Sequence, residues 1–338
     1  MTGHLYVDGR DVYRRYGVYV IEGGWNELVA MPPLKDVTTN DWQEEDGVEA
    51  DLSAPVLDTR EVNIKFAVAR ALSSLTDFID LLSDGAYHTF VCVELGSRAY
   101  RLRLTQQPSL KGLKLLGHTT LRFADDFPLW NYSYAAPSSG IFQTDDYLID
   151  DVPLTAYGVR VLQGTLAEIT RSAAVKENML REIAALSGVI YDPETVTYES
   201  KEVKLYCLMR ADTLAELWAN WDALLYNLTQ PDERLLWVEE LEREFPFYYK
   251  ECAVTEFHPT GRIWLQFTLT VVFTSDFRLS DEDVVLAAED GSIVYTEDDT
   301  YAIEMKPDSA SVAVQSVRLV NTTASLRLTG GGALRFND

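Results

Sequence analysis

Tyr16-Gly17-Val18-Tyr19-Val20-Ile21 recurs as Tyr157-Gly158-Val159-Arg160-Val161-Leu162, 141 positions further along the chain. The same spacing carries Glu27 onto Glu168, Gly47 onto Gly188, Asp51 onto Asp192 and Glu61-Val62 onto Glu202-Val203. Later the spacing widens to 150, which lays Phe123-Ala124-Asp125-Asp126-Phe127 over Phe273-Thr274-Ser275-Asp276-Phe277 and Thr120 over Thr270. Motifs that recur together and in order are the mark of one supersecondary unit used twice. Four segments are therefore expected: a first β domain over 1–130, a linker over 131–149, a second copy over 150–279, and an acidic C-terminal β-hairpin module over 280–338.

Within each copy the periodicity reads as strands around a single helix. In the first, Val62, Ile64 and Phe66 alternate with polar neighbours, and strands are expected at 16–21, 60–68, 89–95, 99–105 and 119–123. Leu72, Leu75, Ile79 and Leu82 are spaced for one face of an amphipathic helix. Gly96-Ser97 is read as a hairpin turn. The second copy alternates at Val203, Leu205 and Cys207, and strands follow over 234–238, 246–256 and 263–273. Its helix is a stripe of Leu214, Leu217, Trp221, Leu224 and Leu228, with Asp212 as the expected N-cap and with Trp218 and Trp221 read as core. The copies differ most where Pro32, Pro33 and Thr38-Thr39-Asn40 of the first are replaced by 172–187, a run rich in Ala, Leu, Glu and Met that favours helix. The fold class expected is mainly β with α (α+β): two tandem related β-barrel or sandwich domains, each with one flanking helix, plus the small C-terminal β-module, where alternation recurs at 292–295, 301–305, 316–320 and 325–328.

Charge narrows the partners. With 53 acidic against 29 basic residues the formal net charge is -24, and a surface of that sign repels phosphate and anionic headgroups. No specific nucleic-acid partner and no membrane are expected. No stretch approaches the roughly 18 apolar residues of a membrane span, and the opening Met1-Thr2-Gly3-His4 lacks the basic and apolar regions of a secretion signal. The tail from 281 holds eleven acidic and four basic residues.

Candidate chemistry is sparse. The chain contains no phosphate-binding glycine loop, no GxGxxG, HExxH, GxSxG or CxxC. Cys92, Cys207 and Cys252 are too widely spaced for a zinc site and read as small buried hydrophobes. His4, His88, His118 and His258 are scattered, and His88 and His258 read as surface residues at strand edges. The acidic run from Glu44 to Asp51 lacks the ligand alternation of a calcium loop, so Asp46-Gly47 reads as a turn. No catalytic residue, metal ligand or cofactor is assigned, and the chain is not expected to be an enzyme.

The opening Leu5-Tyr6-Val7-Asp8-Gly9-Arg10-Asp11, followed by Tyr16-Gly17-Val18, resembles the start of phage tail proteins of the distal-tail and tail-tube kind. Asp46-Gly47 through Thr59-Arg60-Glu61-Val62-Asn63-Ile64 looks like the next element of those families, with Lys201-Glu202 and Ser187-Gly188 as its second occurrence. Two tandem tube-like domains also resemble the baseplate hub. The resemblance spans both copies and stops before 280. It implies a virion tail protein, made in a bacterial host without a secretion signal, that assembles with itself into a homo-oligomeric ring (trimer or hexamer) around a channel and binds other tail proteins. Acidic lumen-facing residues would keep passing DNA mobile, and Glu61 and Glu202, equivalent at the head of a strand, are the candidates. The alternative is a non-catalytic β-rich module that recognises polysaccharide or a cell-surface partner through exposed aromatics, namely Trp130, Tyr132 and Tyr134.

Overall fold

The computed structural model describes residues 2–69, 72–96, 98–106, 118–129, 132–176, 181–182, 187, 189–190, 196–275, 277–278, 303–306 and 316–319. In chain order the first half consists of β1 (Leu5–Val7), β2 (Arg10–Asp11), α1 (Val12–Tyr16), β3 (Val18–Val20), α2 (Asn26–Val29), β4 (Thr39–Asn40), β5 (Glu49–Ala50), β6 (Arg60–Val68), α3 (Leu72–Leu82), β7 (His88–Cys92), β8 (Ala99–Gln106) and β9 (His118–Asp125). The second half consists of β10 (Tyr147–Ile149), β11 (Val152–Pro153), β12 (Val159–Val161), α4 (Thr165–Thr170), β13 (Arg181–Glu182), β14 (Val189–Ile190), β15 (Lys201–Ala211), α5 (Leu214–Leu228), β16 (Arg234–Val238), β17 (Arg243–His258) and β18 (Ile263–Phe273). Each half builds a curled, seven-stranded antiparallel sheet, in the orders β2-β1-β7-β8-β9-β6-β3 and β11-β10-β16-β17-β18-β15-β12. Strand for strand, the two orders are the same. The molecule is a β-rich α+β fold.

Alternation produces the strands. In β6, Val62, Ile64 and Phe66 are buried while Glu61 and Lys65 face solvent. Across its face lies α3, whose Leu75, Phe78, Ile79 and Leu82 are buried. The first core is an aromatic cluster in edge-to-face contact, with ring centroids of Phe66–Phe78 at 5.7 Å, Phe66–Phe123 at 6.4 Å and Phe90–Phe123 at 5.1 Å. The second is built from Trp221 against Phe267 and from Phe245 stacked on Phe273.

Each sheet begins with the same hairpin. Asp8-Gly9 joins β1 to β2, and Asp150-Asp151 joins β10 to β11. All four residues have positive φ, at 50°, 73°, 49° and 64°, as a tight two-residue turn between strands requires. The turn carboxylates then do the same job twice. Asp8 accepts from the Thr89 amide at 2.9 Å, with His88 Nδ1 at 2.7 Å; Asp150 accepts from the Leu235 amide at 3.0 Å and from Arg234 at 2.9 Å. Burial opposes ionisation of Asp8, but the bonds from His88 and Thr89 win and hold its carboxyl below the usual range.

Several expectations need correction. Tyr16-Gly17-Val18 is a helix end and not the start of a strand: α1 runs to Tyr16, Gly17 adopts left-handed φ 67°, and β3 begins at Val18. A Gly158 φ of 79° after a 3-10 turn repeats the device. The short helices α1, α2 and α4 escaped the pattern because four to six residues show no period. The α5 cap is Thr213, not Asp212; its hydroxyl accepts from the Glu216 amide while the Glu216 carboxylate receives the Asp212 amide, a variant of the capping box whose return bond reaches the residue before the cap. His88 is buried rather than on the surface, and it also lies 3.1 Å from Asp84. His258 is exposed and stacks on Trp264.

The ladders also revise the second half of the alignment. Val62 pairs with Phe123 and Val203 with Val271, so Phe123 corresponds to Val271, a spacing of 148 instead of 150. A two-residue shift preserves the inward and outward phase of a strand, so hydrophobicity could not distinguish them. Nor does the loop over 172–187 become helical in its described residues. Val175 bridges to Tyr198 as Leu34 bridges to Leu57, and β13 pairs with β14 in the register of β4 with β5. Gly188 lies outside the described residues. Tyr147–Ile149, inside the stretch read as linker, is β10 and hydrogen-bonds to β16. At Gly96 the connection is a 3-10 turn over Val93–Leu95, and Ser97 lies outside the described residues.

Residues Met1–Phe277 make one compact unit, and a second begins at Arg278. In the second, β19 (Ile303–Lys306) pairs antiparallel with β20 (Ser316–Leu319); the alternating stretches over 292–295 and 325–328 lie outside the described residues. Cys92, Cys207 and Cys252 are free and buried, as read, and burial pushes the Cys92 and Cys252 thiols up to about 12.

Candidate assembly surface

The two sheets meet through a junction in which each half contributes different elements. From the second half comes α5. Its Trp218 donates an indole N–H to the Leu95 carbonyl at 2.8 Å, and one turn on Trp221 donates to the Val29 carbonyl at 3.1 Å. Both indoles were read as core; their rings are buried, and their nitrogens are what tie the halves together. Between them Asp222 takes two parallel hydrogen bonds from Arg98, each 2.8 Å, and the same guanidinium lies 4.7 Å from the Trp218 ring centroid. A bidentate pair of this kind fixes orientation as well as distance. On α3, by contrast, Thr76, Asp77 and Asp80 are exposed. The junction is therefore head-to-tail in character: the second half offers α5, β17 and the loop that carries Lys176, and the first half offers Val29, Leu95, Arg98 and its loops.

Those loops run from 29 to 52. Tyr249 donates to the Pro32 carbonyl, and the Leu34 amide to the Lys250 carbonyl, both at 2.9 Å. Lys176 is buried and donates to the carbonyls of Trp42, Glu45 and Gly47 at 2.7, 2.8 and 2.7 Å, with Asp41 at 2.5 Å. Gly47 sits at the tightest point. Its φ is +75°, its amide bonds to the Tyr198 carbonyl, and a Cβ placed on it would stand 1.6 Å from the Thr274 oxygen. Asp46-Gly47 is thus a turn, as expected, and it exists to let the halves approach.

The remaining singled-out residues fall in three places. Glu61 and Glu202 occupy the same position on β6 and β15. Both are exposed and ion-paired, Glu61 with Arg122 of the adjacent strand β9 and Glu202 with Lys250 of β17, two strands away across β18. Tyr134 is 47% exposed and lies on Tyr226 at 4.8 Å, whereas Tyr132 is half-buried against the same ring at 5.8 Å. Trp130 lies outside the described residues. Phe142 is the most exposed large apolar side chain described, at 79%.

The first residues of β6 and β15, paired in the sequence as the Arg60-Glu61 and Lys201-Glu202 steps, were not foreseen as buried anchors. Arg60 is buried, donates to the Leu28 and Ala30 carbonyls and bonds Asp125. Lys201, at the equivalent position, donates to the carbonyl of Ile169, which itself corresponds to Leu28. Their signal in the sequence was a basic residue before a repeated Glu-Val. Among the described residues there is no cluster of potential metal ligands, and no helix is long and apolar enough to cross a membrane.

No family model matches the chain, and no curated protein matches it in sequence. Among solved structures it is similar to the crystal structure of the Dit protein of phage SPP1, described as a paradigm of the hub adsorption apparatus in phages that infect Gram-positive bacteria. Identity is 13%, the match covers 80% of this chain and 98% of that one, and the TM-score is 0.29.

Proposed function

We propose that this chain is a structural component of a phage or prophage tail, a ring subunit in the manner of distal-tail and baseplate-hub proteins. One observation carries the proposal: a seven-stranded sheet of the same strand order occurs twice in one chain, and the two are locked side by side by a head-to-tail junction. Head-to-tail contacts generate closed rings when the rotation per contact closes, and open filaments when it does not. A chain that carries two such units supplies two consecutive positions of a ring, so three chains present six sheets to a sixfold partner. The tail-protein motifs of the sequence fall on the elements that both halves share, namely the Asp8-Gly9 hairpin, the Gly17 helix end and the head of β6.

On this reading 1–130 and 150–279 are duplicated domains, 131–149 connects them, and 280–338 is an accessory hairpin module. The two- and three-residue edge strands β2, β3, β11 and β12 are short enough to resist indiscriminate pairing, which leaves ring closure to loops and side chains. Glu61 and Glu202 face the channel with their cross-strand cations, a surface of mixed charge over which DNA slides. The partners are further copies of this chain and neighbouring tail proteins, and the protein resides in the virion tail. Negative-stain images of the purified protein, alone and mixed with tail-tube protein, test this: closed rings with threefold or sixfold averages are expected, and a field of single particles under every mixture would refute it.

A further inference from the structure

Within the chain, a forward face of the first half (Leu34, Leu95, Arg98) meets a back face of the second (Lys176, Trp218, Asp222). The ladders identify the matching positions in the other half. Val7 and Ile149 precede the two hairpin turns; they pair with Phe90 and Leu236, which pair in turn with Tyr100 and Phe245. Two residues earlier on those strands stand Arg98 and Arg243. Their settings agree, since Arg98 lies 5.6 Å from the ring of Tyr100 and Arg243 lies 5.7 Å from that of Phe245. On the helices, Leu72, Leu75, Ile79 and Leu82 match Leu214, Leu217, Trp221 and Leu224 at a spacing of 142. Asp80 therefore stands where α5 has Asp222, and Thr76 where it has Trp218. Lys35 matches Lys176: each follows a bridge, and its amide bonds the Val56 or Thr197 carbonyl at 2.9 Å.

The matched positions differ in one direction. On the second half's back face, Arg98 holds Asp222, the Leu95 carbonyl holds Trp218, and carbonyls of the first half hold Lys176. On the first half's back face Asp80, Thr76 and Lys35 are exposed. Toward their own sheets the helices agree, with Leu75, Phe78 and Ile79 buried like Leu217, Asn220 and Trp221. On the forward faces, Leu34 is half-buried where its amide meets the Lys250 carbonyl, while its counterpart Val175 is 48% exposed. A buried lysine beside an exposed valine inverts the usual order of burial. Neighbours in extended backbone point to opposite faces, so Lys176 turns toward the first half and Val175 away from it. One copy of each face thus lacks its counterpart within the chain, and the two uncovered faces carry opposite charges at matched positions, Asp80 and Arg243.

We infer that the contact between chains repeats the contact within the chain. The back face of one first half, with Lys35, Thr76 and Asp80, receives the forward face of another copy's second half, with Val175, and Asp80 pairs with Arg243 of that copy. This rests on the ring reading above and specifies its interface, because a heterologous contact that repeats through both halves closes a ring. Thr76 and Ile79 stand in place of the two indoles that lock the halves, so the contact between chains is the weaker one. Mass photometry of the full chain and its variants across a dilution series tests the inference. Asp80→Arg should raise the concentration at which the wild-type assembly dissociates by roughly tenfold or more, with the melting temperature of the separated chain unchanged. Asp77→Arg makes the same charge change at a position whose counterpart, Ala219, is exposed, and should assemble as the wild type does. Arg243→Asp should dissociate like Asp80→Arg, and the two combined should recover assembly. An Asp80→Arg chain that assembles unchanged, an Asp77→Arg chain that dissociates as far, or a combined variant that fails to recover would overturn the interface while leaving the ring reading standing. A wild type that is monomeric at every concentration would overturn both.

Discussion

Gly47 and Lys201 show how much single positions carry. At Gly47 a methyl group would meet the Thr274 carbonyl in a backbone region that L-residues disfavour. Left-handed strain and overpacking together predict that Gly47→Ala loses about 2–5 kcal/mol, measurable by urea denaturation, whereas Gly85→Ala, with φ +80° and nothing within 4 Å, loses only the strain component. Lys201 lacks the carboxylate that Asp125 gives Arg60. Burial, reinforced by Arg171, pushes its ammonium from 10.5 down to about 8. Between those values the unfolded chain holds a proton that the folded one has released, so stability rises with pH from about 8 to 10.5; below pH 8 the folded state carries the buried charge at a cost. Lys201→Met should remove this slope, so that wild type gains on the variant across that window in urea titrations. A pH-independent difference would contradict the assignment.

At the scale of elements, the two copies serve as each other's controls. Asp151 holds φ 64° where the first hairpin has Gly9 at 73°. Asp151→Gly is therefore expected to stabilise the second hairpin by roughly 0.5–1 kcal/mol, seen as a raised melting temperature; a lowered one would mean that the Asp151 side chain has a role of its own. Thr213→Ala should cost about 1 kcal/mol by removing one arm of the α5 capping box. These elements differ in how legible they were. The alternation in β6 and the stripe in α5 were plain because burial imposes a period over nine and fifteen residues. The edge strands β2 and β11 were not, since two residues define no period and their pairing is set by turns, whereas β3 and β12 fall inside the repeated Tyr-Gly-Val stretch. Asp8-Gly9 could be read as a turn; Asp150-Asp151 could not, because nothing local announces that two aspartates will adopt positive φ.

For the whole molecule, the repeat announced two units but not how they touch. Trp218 and Trp221 sit at helical spacing beside leucines, and from sequence a tryptophan that faces its own core looks the same as one that reaches a neighbour's carbonyl. Arg98 and Asp222, 124 positions apart, carry no mutual signal at all. The divergence of the two cores was equally hidden: Tyr100 and Asp125 stand where the other half stacks Phe245 on Phe273, and the correct 148-residue register appears only in the ladder. The central claim is that the paired sheets are ring segments. Mass photometry of the 38.1 kDa chain across a dilution series tests it most directly. A discrete species of three or six chains, persisting on dilution, is the predicted result. A monomer at every concentration, and after addition of tail-tube protein, would contradict it.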